Sequence, residues 1–213
     1  MYKFPYYTEP DEQKVIDFMK ENPFALITGM GENFPVATQI PLAIKITDHK
    51  IFLEGHLMRK TDHHLAFEKN NSVLVIFPGP HCFVSAAWYT DPQMGSTWNY
   101  MTVQAKGKII FTDEAGTRNA VKAVSDKYTG TGSASSYDQL PAAYIDHMVK
   151  AIVGFSIEVE SIENTFKLSQ NRDKASQINI IEQLEKRGDA NSAAIADEMK
   201  KRLESHGQRV IVD

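Results

Sequence analysis

The stretch GHLMRKTDHH, residues 55–64, places two cations immediately before a position that can begin a helix. Arg59 and Lys60 precede Thr61 and Asp62, and either of these last two can cap the helix predicted to follow. The free N–H groups of a first helical turn favour an anion, and a guanidinium can bind a phosphate through two hydrogen bonds. The spacing is compatible with a phosphate site, but from these residues alone a solvated basic pair beside a helix is the favoured interpretation.

Histidines around this basic pair raise the question of a metal site. His63 and His64 are adjacent, so on a helix their side chains point about 100 degrees apart and cannot easily share one ion. Because no cysteine and no HExxH spacing joins His56 to them, the sequence predicts no metal site. The same three histidines and His147 are the candidates for an axial haem ligand, the least favoured of the cofactors considered.

Aromatic side chains between positions 88 and 100 form a second group. Trp88, Tyr89, Trp98 and Tyr100 include both tryptophans of the chain. Such rings can wall a flat conjugated ligand or fill a subunit interface, and both hold if the ligand lies at the interface. The polar stretch KLSQNR, residues 167–172, is either a surface loop or a polar clamp on the edge of a heteroaromatic ring.

Motifs of several other functional classes are absent from the sequence. It contains no GxxxxGK[ST], no GxGxxG after a strand and no GxSxG, which disfavours a P-loop, a dinucleotide fold and a hydrolase elbow. Cys82 follows His81, but neighbours on a strand face opposite sides, so no catalytic pair is predicted. Since no general acid or base stands out, we predict no catalytic residue, substrate or electron donor.

The elements that position these groups are mostly short strands. Met101 to Phe111 alternate apolar and polar residues, which predicts a half-buried strand, and Asp113 then caps a helix. Turns follow one another too quickly for parallel crossovers, so we predict an antiparallel barrel with flanking helices, an α+β fold that is mainly β. Two helices near 175–186 and 192–205, broken at Gly188-Asp189, predict a C-terminal helical hairpin. The predicted domains are 1–172 and 173–213.

Composition narrows the functional class further. The chain has 213 residues, 42% of them hydrophobic, and a formal net charge of -4, which argues against a broad electropositive face for nucleic acid. No apolar run reaches the length of a membrane span or of a signal peptide core. Cys82 is the single cysteine, which fits a reducing compartment. The expected location is the cytoplasm.

Seven short motifs, in this order and spacing, carry a resemblance to a known family. They are PVATQIPL (35–42), GHLMR (55–59), VLVIFPGPH (73–81), SAAWY (85–89), TWNY (97–100), IVGF (152–155) and KLSQN (167–171). The chain resembles the PaiB-like, FMN-binding proteins often labelled negative transcriptional regulators, from about Met1 to Arg172. The resemblance implies a split β-barrel of the pyridoxamine-phosphate-oxidase type that forms homodimers and binds FMN in two clefts between subunits.

The resemblance also implies a set of cofactor-binding residues. The flavin ring would be bordered by backbone groups of Thr38, Gln39, Ile40, Pro41 and Leu42. The phosphate and ribityl chain would be held by His56, Arg59 and Lys60. The partner subunit would contribute Trp98, Asn99 and Tyr100, and the set is completed by Ser85, Lys167, Gln170 and Asn171. The chain departs from the family pattern at Lys60, Ala86, Ala87 and Gln104, and these departures bear on flavin affinity.

Two roles stay open for such a protein, a flavin-linked oxidoreductase and a transcriptional regulator. The C-terminal hairpin superficially resembles a helix-turn-helix, and DEMKKR (197–202) offers three cations. Acidic residues interleave with them, however, so a solvated face or a dimerisation arm is favoured over direct DNA binding.

Overall fold

The computed structural model describes residues 4–208, with side chains described up to residue 204. The strands β1 to β7 span Phe24–Met30, Pro35–Pro41, Ala43–Thr47, Lys50–Met58, Ser72–Val84, Thr97–Phe111 and Ile152–Lys167. The α-helices of the described residues, α1 to α6, span Glu12–Glu21, Asp62–Lys69, Glu114–Tyr128, Ala142–Ala151, Lys174–Arg187 and Ala190–Gln208. Short 3-10 turns lie at Pro5–Tyr7, Ala86–Trp88 and Tyr137–Gln139.

The strands form one sheet in the order β2-β1-β5-β6-β7-β4-β3. β1 pairs antiparallel with both β2 and β5, and β4 pairs antiparallel with both β3 and β7. The two hairpins, β1-β2 and β3-β4, join strands that follow each other in sequence, as the rapid turns predicted. The α+β class, the antiparallel sheet and the C-terminal helical hairpin are therefore confirmed.

The chain divides into two compact units, and strands β5, β6 and β7 pass from one into the other. One, here called the hairpin unit, comprises the N-terminal segment up to Val15, residues Pro78–Val103 and the segment from Glu163 onward. The other, the sheet unit, comprises Ile16–Phe77 and Gln104–Ile162. The boundary predicted at residue 172 stays a prediction, since the compact units do not follow the chain order.

The sheet unit has a core of strand side chains with α2 and α3 packed on it. Its side chains that are at most 1% exposed include Ala25, Ile27, Leu53, Phe67, Val75, Phe77, Ala105, Phe155 and Ile157. Burying an aliphatic or aromatic side chain of this size contributes about 1.5–3 kcal/mol. α3 approaches β7 closely at Gly154, whose amide donates to the Thr117 hydroxyl at 2.9 Å. That contact fixes the helix over the strand that pairs with β4.

The hairpin unit owes its core to the two C-terminal helices. Ile180, Leu184, Ile195 and Ala196 are fully buried, and Met199 is 2% exposed. Gly188, with φ of 72 degrees, ends α5 in the left-handed region that glycine tolerates best. The Asp189 carboxylate then accepts from the Ser192 amide at 2.9 Å and so caps α6. The break predicted at Gly188-Asp189 is confirmed.

Local capping chemistry confirms some sequence expectations and corrects others. Thr61 caps α2 and Asp113 caps α3, as predicted. Thr8 is of a residue type that commonly caps helices and precedes the first helix, but that helix begins at Glu12 and is capped by Asp11, whose carboxylate accepts from the Gln13 amide at 3.0 Å. None of the helices in residues 4–208 is both long and apolar enough to span a membrane.

Candidate functional site

The start of α2 carries the predicted phosphate-binding cations in a constrained backbone. The Arg59 amide donates to the carbonyl of Ala151 at 2.9 Å, which fixes the chain to the end of α4. Lys60 has φ of 61 degrees, a left-handed conformation that is strained for a residue with a side chain. The Thr61 hydroxyl donates to the Met58 carbonyl at 3.0 Å and accepts from the His64 amide at 3.4 Å. The turn from β4 into α2 is thus held on both sides of the two cations.

Both cations of this turn lack a protein counter-ion. The Arg59 guanidinium is half-buried and the Lys60 ammonium is exposed, and neither makes an ion pair or side-chain hydrogen bond within residues 4–204. Cations without counter-ions on adjacent residues favour a ligand with two negative charges. The geometry therefore suits a phosphate, as the sequence predicts.

The first-turn amides contribute less to an anion than the sequence suggests. The Asp62 carboxylate accepts from the His63 amide at 2.8 Å, and Thr61 occupies the His64 amide. An acidic side chain at this position also repels an incoming anion. The expectation that these N–H groups point at a ligand is therefore wrong for His63 and His64, so the predicted phosphate site depends mainly on the side chains of Arg59 and Lys60.

His56 lies on β4, opposite Gly154 of β7. Its Nδ1 atom is buried and has no hydrogen-bond partner among the described residues. Burial lowers the pKa of the His56 imidazole, which favours its neutral form. A buried ring nitrogen without a partner costs free energy unless a ligand or water satisfies it, so His56 fits a polar ribityl or phosphate group.

The segment Thr38–Leu42 offers backbone more than side chains. The Ile40 side chain is 6% exposed and that of Leu42 is 2% exposed, so both pack into the protein. β2 pairs with β1 on one side and lies at one end of the sheet order, which leaves its other side without a strand partner in the described residues. Edge N–H and C=O groups of this kind can border a flat ring, as the resemblance implies.

The hairpin unit brings two of the sequence motifs together. The Lys167 ammonium donates to the Thr97 hydroxyl, and the Ser169 hydroxyl donates to Oδ1 of Asn99 at 3.0 Å. Burial lowers the pKa of the Lys167 ammonium, and the charge of Arg172 lowers it further. KLSQN and TWNY therefore form one polar cluster, a contact that the sequence order alone does not reveal.

Three of the predicted cofactor contacts, two of them in this cluster, already have structural partners. Asn99 is fully buried and donates to the sulfur of Met199 on α6, while the Gln170 amide accepts from the Leu168 amide at 2.7 Å and donates to the Phe166 carbonyl. The Ser85 hydroxyl accepts from the Ala87 amide at 3.3 Å and caps a 3-10 turn. Their roles as cofactor contacts stay predictions, whereas the Lys167 ammonium has no carboxylate partner among the side chains of residues 4–204.

Aromatic side chains form an exposed group on β5 and β6. Trp98 is 53% exposed and Phe83 is 42% exposed, and their ring centroids lie 6.1 Å apart in an edge-on arrangement. The ring of His81 lies 6.1 Å from that of Trp98. Asn171 is exposed and Tyr100 is half-buried. Trp98 thus points outward, as a residue that serves a partner subunit must.

A cavity in the sheet unit escaped sequence analysis. It has a volume of about 370 Å³, and its walls come from β2, β3, β4, β7 and α3. Of the predicted cofactor-binding residues, Pro41 and Leu42 line it, while His56, Arg59 and Lys60 do not. The only sequence signal was the run of small residues on α3, Ala120 and Ala123, which leaves room beside the sheet.

Comparison with known proteins identifies relatives along nearly the whole chain. The family model described as "Putative FMN-binding domain" matches residues 1–161. The protein "Protease synthase and sporulation protein PAI 2" of Bacillus subtilis is 30% identical over 204 residues, which cover 95% of this chain and 98% of the relative. An uncharacterised protein of Aspergillus fumigatus is 29% identical, with 87% of this chain and 91% of the relative covered.

Solved structures with little sequence identity share the fold. The flavocytochrome Anf3 of Azotobacter vinelandii has a TM-score of 0.60 at 13% identity, with 78% of this chain and 72% of that chain covered. The FAD and haem binding protein of Mycobacterium smegmatis has a TM-score of 0.57 at 13% identity, with 81% and 78% covered. This likeness confirms the predicted split-barrel fold.

Proposed function

Because this chain belongs to the PaiB-like family whose model is described as "Putative FMN-binding domain", we propose that it is a homodimeric flavoprotein whose Arg59 and Lys60 hold the phosphate of FMN. The family and its flavin cofactor agree with the sequence prediction. When bound, FMN supplies the redox chemistry of its ring system, and the protein orients and tunes that ring.

The observation that carries this proposal is the unpaired state of the two cations at the start of α2. Other cations of the described residues face carboxylates: the Arg118 guanidinium on α3, for example, pairs with both Glu114 and Asp146. Arg59 and Lys60 have none within residues 4–204, although their turn is fixed by hydrogen bonds to Ala151 and Met58. A fixed pair of unneutralised charges is preorganised for a dianionic phosphate.

The remaining groups of the sheet unit fit the rest of the cofactor. The orphan Nδ1 of His56 lies three residues before Arg59 and can accept from or bridge to a ribityl hydroxyl. The open edge of β2, from Thr38 to Pro41, can pair with the polar rim of the flavin ring, whereas the Leu42 amide already donates to the Pro23 carbonyl at 2.9 Å. Neither role needs a side chain to leave the core.

A second copy of this chain is the proposed partner. Trp98, Phe83 and His81 expose an apolar and aromatic surface on β5 and β6, and Trp98 belongs to the motif that the family resemblance assigns to the partner's cleft. Large exposed aromatic groups of this kind are typical of subunit interfaces. Trp98→Ala should weaken self-association, as measured by sedimentation equilibrium, and should weaken FMN binding in parallel.

Regulation is the second candidate role, because the Bacillus subtilis relative bears a name that refers to protease synthesis and sporulation. Direct contact with DNA is not the route we propose. Lys200 pairs with Glu185, and Arg202 pairs with Glu198 at 2.9 Å and with Glu9 at 2.6 Å, so two cations of DEMKKR are already neutralised. A regulatory role would then run through the state of the flavin.

A comparison of FMN with riboflavin tests the phosphate assignment, because the two ligands differ only in that group. The wild-type protein should bind FMN more tightly than riboflavin in a fluorescence-quenching titration. Arg59→Ala should reduce FMN affinity about tenfold or more, the loss expected for a charge-assisted hydrogen bond, and leave riboflavin affinity unchanged. Lys69→Ala, at the opposite end of α2, is the matched control. Equal losses for both ligands, or no flavin binding by the wild type, would overturn the proposal.

A further inference from the structure

The cavity of about 370 Å³ in the sheet unit lies between α3 and the strands β2, β3, β4 and β7. Much of its lining is apolar, and several of the apolar side chains are small. The apolar lining residues are Pro41, Leu42, Ala43, Ala120, Ala123, Val124 and Phe155. Cavities that bind small ligands have volumes of about 300–1,000 Å³ and combine apolar walls with a few polar groups. The size therefore suits a ligand of one or two rings.

The charged side chains of this cavity leave one cation in excess. Lys45 and Glu54 line it together and form an ion pair of 3.5 Å, so they neutralise each other. Lys127 also lines it and has no carboxylate partner within residues 4–204. Its ammonium lies 5.2 Å from the ring centroid of Tyr128, another lining residue. A ligand with a single negative charge would complete the balance.

Polar groups without partners point to the same conclusion. The hydroxyl oxygen of Thr112 is buried and has no hydrogen-bond partner among the described residues. Asn119 and Ser156 line the cavity, and their side chains make no hydrogen bond within residues 4–204. Together these groups supply donors and acceptors for a ligand that carries more than an apolar surface.

We propose that this cavity binds a small flat aromatic monoanion, such as an aryl carboxylate, with the carboxylate on Lys127 and the ring between α3 and the strands. The small side chains of Ala120 and Ala123 give a flat ring room against the helix, and Phe155 and Tyr128 supply aromatic contacts. Lys127 selects an acid over a neutral analogue, because an unpaired ammonium gains a charge-assisted hydrogen bond only from the acid.

This site does not depend on the proposed flavin function. None of the residues proposed for the FMN phosphate and ribityl chain, His56, Arg59 and Lys60, lines the cavity. Pro41 and Leu42 belong to both sets, so a ligand in the cavity would lie near the segment assigned to the flavin ring. The two proposed ligands can be distinguished by the cation that each requires: Lys127 for the aromatic acid and Arg59 for FMN.

Titration calorimetry with 2-naphthoate and its neutral analogue 2-naphthalenemethanol tests the proposal. The wild-type protein should bind the acid about tenfold more tightly than the alcohol, as one charged hydrogen bond predicts. Lys127→Met keeps the aliphatic length and should remove that preference, while Lys69→Met, outside the cavity, should keep it. Ala123→Leu adds bulk at an exposed helix position and should abolish binding of both compounds, with circular dichroism as the check on folding.

The same samples separate this inference from the flavin proposal. Arg59→Ala should leave naphthoate binding intact whether or not the wild type binds FMN. Failure of the wild type to bind naphthoate, or equal affinity of Lys127→Met and wild type for the acid, overturns the inference. Loss of naphthoate binding in Arg59→Ala together with one-to-one competition by FMN also overturns it, since the cavity would then be part of the flavin site.

Discussion

Oδ1 of Asp62 lies 2.8 Å from the backbone nitrogen of His63 and 3.1 Å from Nδ1 of the same residue, so an acidic group sits at the start of α2 beside the two cations proposed for the phosphate. The carboxylate stabilises the helix through its dipole, but it repels a phosphate held by Arg59 and Lys60. Anion binding and helix stability therefore compete at this position.

Asp62→Asn should tighten FMN binding by about two- to fivefold, because a unit charge near a helix start contributes about 0.3–1 kcal/mol at an exposed site. Asparagine keeps an oxygen that can accept from the His63 amide. The same change should leave riboflavin affinity unaltered, and a fluorescence titration with both flavins measures the difference. Weaker FMN binding in Asp62→Asn would show that the carboxylate assists the site rather than opposing it.

The elements that sequence analysis predicted best are those fixed by local chemistry. The alternation from Met101 to Phe111 appears in β6. Asp113 caps α3 with its carboxylate, and Gly188 ends α5 in a left-handed conformation that a residue without a side chain tolerates. Each of these depends on residues within one turn or one strand. The resemblance identified the family and the fold because its motifs are spread over the whole chain.

Pairing between strands that are distant in sequence decides how far a strand runs, and local residue preferences do not show it. Pro78 and Pro80 would ordinarily interrupt a strand, but β5 continues through them, because its pairing with β1 ends at Ile76 and the missing amides interrupt no bond to that strand. The strand then ends at Val84, and the Ser85 hydroxyl caps the 3-10 turn that follows.

The candidate site could be predicted only in part for the same reason. Arg59 and Lys60 are adjacent in sequence, so their shared turn was readable, whereas the bond between Ser169 and Asn99 joins motifs 70 positions apart. The cavity beside α3 draws on residues from Pro41 to Ser156, and no local pattern encodes such a set.

Gly154 allows α3 to approach β7, and its replacement should separate the two. A Cβ atom at this position would lie 2.6 Å from the hydroxyl oxygen of Thr112 and 2.9 Å from the Cα of Thr117, and the second contact cannot be relieved by a side-chain rotation. Gly154→Ala should therefore reduce the free energy of unfolding by about 1–3 kcal/mol, the usual cost of overpacking. Urea denaturation measures the loss. Gly132→Ala, where a Cβ meets nothing within 4 Å, is the control and should be nearly neutral.

The cap of α5 should make stability depend on acidic pH. Asp173 accepts from the amide and hydroxyl of Ser176 and from the hydroxyl of Thr90, and these bonds lower the pKa of its carboxyl to about 2. A carboxyl whose folded-state pKa is depressed stabilises the protein above its unfolded value, near 3.8, and loses that contribution as the pH falls towards 2.

Asp173→Asn should therefore be less stable than the wild type at pH 7 and at pH 5, and the gap should narrow as the pH falls below 3.8. Urea denaturation of both proteins at pH 7, 5 and 3 provides the comparison. Asp91→Asn is a suitable control, because Asp91 is exposed and, within residues 4–204, its carboxylate accepts one hydrogen bond, from the Gln93 amide. A gap that stays constant across this range would contradict the assignment.

Glu9 and Arg202 form the ion pair that ties the N-terminal segment to α6 within the hairpin unit. Their side chains are 5% and 18% exposed, the closest N–O distance is 2.6 Å, and Asn164 Oδ1 accepts from the Glu9 amide at 2.8 Å. Arg202→Met leaves the Glu9 carboxylate buried without its counter-ion, which typically costs about 3–5 kcal/mol. The double variant Glu9→Gln with Arg202→Met removes both charges and should recover a large part of that loss in a double-mutant cycle measured by urea denaturation. Lys200 lies on α6 like Arg202, and Lys200→Met breaks its exposed pair with Glu185 of α5, which should cost at most about 1 kcal/mol. Equal effects of Arg202→Met and Lys200→Met would mean that the buried pair adds no more to the hairpin unit than a solvated one.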